Sequence, residues 1–377
     1  MIEIIFIEPG YLEKNNGKYF FSERTLAGYQ SYLDYLNSHY PEVYVRIMSN
    51  IGVRYISNTE NLVEAPLEIE SKISEVNPRM HDSDNDVIYY SLLRKDTAWI
   101  SNQNNSVVYL VENTRKNKVG LTAGQEKGIN LRKIRVNLGS WKELIELTVA
   151  IRKSAGLQAN GPAAFRQYAR FSKNAIMFHD HRVREVFEAV PRKTFKQGND
   201  LSIAFSGRLV KIKGAQFIPS ISRRIYEKNR NIKIYILGEG EYREKILNTS
   251  APNLIHKGFM DYRNEWEPFV RKNVDLTLLP HIQGDPSMTY YESLGQGVPV
   301  IGFQNETLDY LVDSDLAWGI KNRDVDKLVE TVIQINENPD VLRHKSTKAI
   351  DFMSKHLFED VVAFRMEHLM KSLKGKG

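Results

Sequence analysis

The second half of the chain alternates between short apolar runs and stretches with helical spacing, and that alternation leaves few folds open. Leu201-Ser202-Ile203-Ala204-Phe205 is an apolar run that stops at Ser206-Gly207, and a helical pattern covers 216–228. The run at 232–237 ends at Gly238-Glu239-Gly240 and precedes a short helical pattern at 243–247. Leu254-Ile255-His256, a helix near Trp266, a run at 274–279, a helix over 289–294 and Val298-Pro299-Val300-Ile301-Gly302 complete the series. A strand–helix–strand rhythm with nearly continuous apolar strands predicts a parallel sheet covered by helices on both faces. The first half follows the same grammar. Strands are expected at 2–7, 43–48, 87–90 and 107–111, and helices at 22–36, 141–154 and 162–171. Ser22-Glu23-Arg24-Thr25 supplies an N-cap serine to the first of these helices. With 377 residues the chain is long enough for two such domains, and the polar stretch 191–200 is the natural break between them.

Composition narrows the chemistry. The chain has no cysteine, which excludes a disulfide framework, thiolate zinc, an iron–sulfur cluster and a cysteine nucleophile. The opening Met1-Ile2-Glu3-Ile4-Ile5-Phe6-Ile7-Glu8-Pro9 reads as a buried strand, not a signal peptide. No apolar run approaches the roughly 18–20 residues that span a bilayer, so a cytoplasmic chain, soluble or peripheral on the inner face of the plasma membrane, is expected. The net charge of +6 is uneven: residues 1–100 carry 9 Lys and Arg against 15 Asp and Glu, and residues 101–200 carry 18 against 8. A basic segment of this kind fits a phosphate, an anionic lipid surface or nucleic acid. No nucleic-acid motif accompanies it.

Three constellations in the second half carry chemistry. Ser206-Gly207-Arg208-Leu209-Val210-Lys211-Ile212-Lys213-Gly214 follows a strand directly, at the ligand edge of such a sheet. There Arg208 offers a planar fork and Lys213 a point charge to one diphosphate. Gly238-Glu239-Gly240 forms the turn after the next strand. In Gly284-Asp285-Pro286-Ser287-Met288-Thr289 a loop leads into a helix, and the free amides of its first turn make an anion site. Glu292 lies one turn further on, where it can accept hydrogen bonds from ribose hydroxyls.

Taken in this order and spacing, the three resemble the donor domain of GT-B-fold glycosyltransferases, most closely the large retaining family of bacterial sugar transferases, family 4-like. The resemblance covers about residues 200–370. Its strand-following Gly-Arg-Leu with Lys-Gly five residues later is matched by Gly207, Arg208, Leu209, Lys213 and Gly214. Its G-x-G turn matches Gly238 and Gly240, and its Gly-Phe matches Gly258-Phe259. The signature helix matches Glu292-Ser293-Leu294-Gly295-Gln296-Gly297-Val298-Pro299-Val300, and the closing helix that returns to the first domain matches the segment beginning at His356. The family's pair of acids eight positions apart is broken. Glu292 is the second, while the first, which in the family contacts donor-sugar hydroxyls, falls on Gly284, with Asp285 adjacent.

The resemblance implies two Rossmann-like, doubly wound α/β domains with a cleft between them. An acceptor domain is expected at 1–195 and a nucleotide-sugar domain at 196–355, with a returning helix and tail at 356–377. It implies transfer of a sugar from a nucleoside diphosphate sugar, uridine-linked, to a hydroxyl of a glycan or lipid-linked glycan of the cell envelope. The reaction is expected to retain configuration and to need no metal or other cofactor. Arg208 and Lys213 would stabilise the leaving diphosphate. Gly207, Gly238, Gly240, Phe259, Asp285, Ser287, Met288, Thr289 and Glu292 would bind the donor. On the acceptor side Asn16 and Gly17 stand where the family has a glycine-rich loop, and Glu112 is a candidate base or acceptor-binding acid. A sugar-nucleotide epimerase of the same fold and a non-catalytic binding subunit are the alternatives.

Two other motifs lose to plainer readings. Asp82-Ser83-Asp84-Asn85-Asp86 has D-x-D spacing but precedes a strand, and Val87 and Leu93 stand where a calcium loop needs Gly and Glu. His179-Asp180-His181 lacks an evident third ligand, so no metal is assigned and a loop near the interdomain hinge is expected. Residues 115–196 hold the basic excess with apolar positions interleaved at helical spacing. Solvated neighbours of a core helix explain most of it, and a face resting on anionic lipid is the sharper reading.

Overall fold

A computed structural model describes residues 2–60, 62–83, 85–103, 106–123, 131–187, 201–249, 251–284 and 286–374. The chain divides into two compact units, Met1–Phe178 with Glu359–Gly377, and His179–Phe358.

The first unit is built on seven parallel strands in the spatial order Ala175–Phe178, Gly156–Asn160, Ser106–Val111, Asp86–Leu92, Ile2–Glu8, Val43–Ser49 and Ile73–Ser74. The Ile-rich Ile2–Glu8 strand lies between two partners and buries Ile4, Ile5, Phe6 and Ile7. Helix Glu23–His39 starts at Ser22, whose hydroxyl accepts from the Thr25 amide at 3.2 Å. It buries Tyr29, Leu33 and Leu36, the i, i+4, i+7 stripe of an amphipathic helix. The last helix, Phe358–Lys374, packs on this unit through a buried arginine. Arg365 donates to the Gln158 side-chain oxygen at 3.1 Å and to the Tyr90 hydroxyl at 2.6 Å, and its guanidinium lies 4.0 Å from the Phe178 ring centroid. A charge this deep is tolerated because its donors have fixed acceptors.

Asn16 and Gly17 do not form a glycine-rich ligand loop. They are the exposed two-residue turn of a hairpin between Leu12–Asn15 and Lys18–Phe21, in a small separate sheet. Both have positive φ, 48° and 83°, the backbone that a two-residue hairpin needs and that Asn-Gly adopts readily.

The second unit has six parallel strands in the order Leu254–Gly258, Lys233–Leu237, Ser202–Ser206, Leu276–Leu279, Val300–Phe303 and Ala317–Ile320. The chain enters at Ser202–Ser206, builds outward on one side and returns to Leu276–Leu279 on the other. The order therefore reverses between these two strands, the switch point where ligands settle on such sheets. All the strands run one way, so the loops beginning at Gly207, Gly238, Phe259 and Pro280 share one edge.

The boundary also differs from the expected 195/196. Residues 179–187 belong to the second unit because Val183 is fully buried against Tyr290, Tyr291 and Leu294. Its carbonyl accepts the Phe358 amide at 2.8 Å. The return to the first unit accordingly falls at 359, not 356.

Candidate active site

The two loops after the central strands are locked together backbone to backbone. The Gly207 amide donates to the Leu237 carbonyl at 3.0 Å, and the Leu209 amide to the Glu239 carbonyl at 2.8 Å. Gly238 has φ +150°, and a Cβ there would overlap the Gly207 carbonyl oxygen. At Gly240 a Cβ would sit 2.7 Å from the Leu209 carbonyl oxygen. Glycine at both positions is what allows the loops to touch. One loop carries Arg208, whose side chain is exposed and engaged by no hydrogen bond or ion pair among the described residues. Its fork is open to an anion at the sheet edge.

The other cation of this loop is already directed. Lys213 donates to the Ser287 hydroxyl at 3.2 Å. Ser287 is the N-cap of helix Met288–Gly295, and its side chain does not cap the helix. The ammonium therefore stands at the helix start, beside first-turn amides of Met288 and Thr289 that have no intrahelical acceptor. Lys213 and Ser287 are thus brought together at the start of the helix that carries Met288 and Thr289. Behind them His281 is buried with neither ring nitrogen partnered among the described residues. Burial, with a smaller contribution from the Lys213 charge, holds its imidazole well below the usual histidine range, so it is neutral.

Glu292 is buried on the same helix and does not stand alone. Arg182 donates through Nε to its carboxylate at 2.8 Å and lies 3.8 Å from the Tyr262 ring centroid. Burial, reinforced by the Glu292 charge, pushes the Tyr262 hydroxyl well up. Nothing in the sequence pointed to Arg182. It sits 110 positions from Glu292 and is brought to it by the buried Val183 next door. Phe259, at the end of strand Leu254–Gly258, is 79% exposed on the same sheet edge as Gly238. Asp285 lies outside the described residues.

Gly284 has a steric reason to be glycine. A Cβ there would stand 2.8 Å from both the Cβ and the backbone nitrogen of Glu306, on the loop after strand Val300–Phe303. The Thr307 hydroxyl donates to the Gly284 carbonyl at 3.1 Å and holds the two loops together. The space that a side chain at position 284 would enter is taken here by the Cβ and backbone of Glu306. No sequence signal marks Glu306, because the proximity is wholly tertiary.

In the first unit, Glu112 lines a cavity of about 880 Å3 at the ends of strands Asp86–Leu92 and Ser106–Val111. Its charged lining is balanced, with Arg94, Lys95 and Lys118 against Asp96, Glu112 and Glu143, above Leu147 and Tyr168. Lys118 and Glu143 are paired at 2.8 Å. His179 and His181 are buried in the second unit, His179 stacked on Tyr291 at 4.4 Å between centroids. Among the described residues no group of three or more potential ligands is arranged to hold a metal ion.

Residues 186–351 match the family described as glycosyl transferases group 1. Among solved structures, sucrose-phosphate synthase from Thermosynechococcus elongatus is 10% identical, with all of both chains covered and a TM-score of 0.66. Anabaena HepE in complex with UDP and glucose is 11% identical over 98% of this chain and 99% of its own, with a TM-score of 0.61. WaaG, a glycosyltransferase involved in lipopolysaccharide biosynthesis, is 12% identical over 97% and 99%, with a TM-score of 0.60. The chain spans 55% of the length of Staphylococcus aureus TarM, which it matches at a TM-score of 0.53. No curated protein sequence matches. The likenesses establish the fold as GT-B, with two Rossmann-like domains.

Proposed function

We propose that the protein transfers a sugar from a nucleoside diphosphate sugar to a hydroxyl of a glycan or lipid-linked glycan, with retention of configuration. The observation that carries the reading is the contact of Lys213 with Ser287 at the start of helix Met288–Gly295, at the sheet's switch point, with the exposed Arg208 on the same loop as Lys213. Breaking the glycosidic bond to the diphosphate builds negative charge on the leaving group. Lys213 and the helix N-terminus, fixed in advance, stabilise that charge without reorganising, and the exposed Arg208 adds a second cation from the same loop. Glu292, held by Arg182, would accept from ribose hydroxyls, and the neutral His281 adds no charge of its own.

The group 1 match supports glycosyl transfer, and uridine diphosphate is supported by the HepE complex, solved with UDP. Retention rests on the resemblance to the retaining family. The envelope role draws support from WaaG, described as acting in lipopolysaccharide biosynthesis. For the acceptor, the first-unit cavity is the supporting feature. Its charge balance and its apolar floor of Leu147 and Tyr168 suit a saccharide better than a bare phosphate, and Glu112 can accept a hydrogen bond from the attacking hydroxyl. Calorimetry with a panel of nucleotide sugars tests the reading. One uridine-linked donor should bind saturably, and Lys213→Ala should weaken it about tenfold or more, the worth of a charge-assisted contact to phosphate. Equal, non-saturable heats for every donor would overturn it.

A further inference from the structure

Helix Leu131–Lys153 begins ten residues before the sequence pattern suggested, and its added length presents a second apolar face. Leu147, Ala150 and Ile151 are buried in the first unit's core. Ile134, Leu138, Trp141, Ile145 and Val149 are instead 45%, 66%, 52%, 64% and 42% exposed. At about 100° per residue these five fall within an arc of about 80°, on the side away from the core residues. They make a stripe about 22 Å long. Large apolar side chains scattered singly over a surface need no explanation, but five in one line do.

The charges around the stripe say what covers it. Arg135, Lys142, Arg152 and Lys153 are exposed beside it or at its end. Of the helix's described acids, Glu143 is paired with Lys118, and Glu146 lies off the stripe. Arg115 packs over the Trp141 ring at 4.1 Å and donates to Asn137 and Ser140, both at 3.1 Å, which fixes a cation beside the indole. An indole with cations around it matches the headgroup level of a bilayer, where the ring's apolar body and polar edge are both satisfied. A second copy of the chain is a poorer occupant, because a two-fold contact through this stripe would bring the flanking cations of the two copies together.

We propose that the exposed face of helix Leu131–Lys153 rests in the interface of an anionic bilayer, its apolar stripe in the acyl boundary and its flanking cations among the headgroups. No helix among the described residues is long and apolar enough to cross a membrane, so the association is a docking and not an insertion. The inference goes beyond the donor reading and does not depend on it.

Flotation of the full chain with vesicles of phosphatidylcholine alone, and of phosphatidylcholine and phosphatidylglycerol in equal parts, tests it. The protein should float with the anionic vesicles and be released by salt. Leu138→Glu with Ile145→Glu should lower partitioning about tenfold or more, and Arg135→Glu with Lys142→Glu should abolish the preference for anionic lipid. Uridine diphosphate binding, measured on the same samples, should be unchanged and shows that the variants are folded. Wild-type protein that binds nucleotide and floats with neither vesicle overturns the proposal, as does undiminished flotation of the folded double-glutamate variant. So does a dimer in sedimentation that Ile145→Glu dissolves without any lipid binding. Flotation of wild type without nucleotide binding upholds the membrane face and counts against the donor site instead.

Discussion

Replacing Gly238 by alanine should separate two loops that the donor site needs in contact. The new Cβ would lie 2.9 Å from the Gly207 carbonyl carbon and nearer still to its oxygen. Neither group is the end of a flexible side chain, so backbone must move. Relief requires the loops to part by about 1 Å, the scale of misplacement that costs on the order of a hundredfold where geometry matters. The residue must also hold φ +150°, a conformation that costs a non-glycine residue about 1–3 kcal/mol. The Gly207 amide bond to Leu237 and the Leu209 bond to Glu239 would stretch together, carrying the Arg208 loop away from the Gly238–Gly240 turn. Calorimetry of uridine diphosphate binding, with thermal unfolding of the same sample, measures both consequences. The expected result is a folded protein with affinity lowered about a hundredfold. A Gly238→Ala variant that binds nucleotide as wild type does would show that the paired loops do not hold the diphosphate.

Two further outcomes follow from packing and burial. Gly284→Glu, which would install the acid that the resembled family has there, should destabilise by about 1–3 kcal/mol because the Cβ and backbone of Glu306 occupy the space, and adding Glu306→Ala should recover little, since alanine keeps those atoms; a single variant melting with wild type would contradict this. Burial holds His179 down to about 3 and His181 down to about 4, so the folded protein binds fewer protons than the unfolded chain between those values and about 6.5. Stability contributed by neutral burial is then complete above about 6.5 and falls as the pH drops, each histidine removing about 2 kcal/mol by pH 5. Urea unfolding at neutral pH and near pH 5 should show the loss, smaller in His179→Phe, and a flat profile would refute the assignment.

The parts of the fold that were legible share one physical property. Strands such as Lys233–Leu237 and Leu276–Leu279 are covered on both faces, so burial writes itself into the sequence as a continuous apolar run. Glycine after a strand marked Gly238 and Gly240, where close backbone approach leaves no room for a side chain, and Gly207, whose φ of +132° disfavours one. Elements with a weaker imprint were missed. Ala317–Ile320 is a four-residue edge strand, and the hairpin carrying Asn16-Gly17 belongs to a small sheet whose turn signal, Asn-Gly, was read as a ligand loop. The start of helix Leu131–Lys153 was hidden because apolar residues on two opposite faces blur the helical period. Arg182 against Glu292 and Glu306 against Gly284 could not be seen at all, since each meets its partner only through the tertiary fold.

The central claim is that the loops at 206–214 and 237–240 and the helix start at 286–292 together hold a nucleoside diphosphate. Amide hydrogen exchange with and without uridine diphosphate reads all three segments in one experiment. Slowed exchange confined to them, with the first-turn amides of Met288 and Thr289 among the most protected, is the predicted result. Saturating nucleotide that leaves these segments unchanged, or protects only segments of the first unit, would contradict the account.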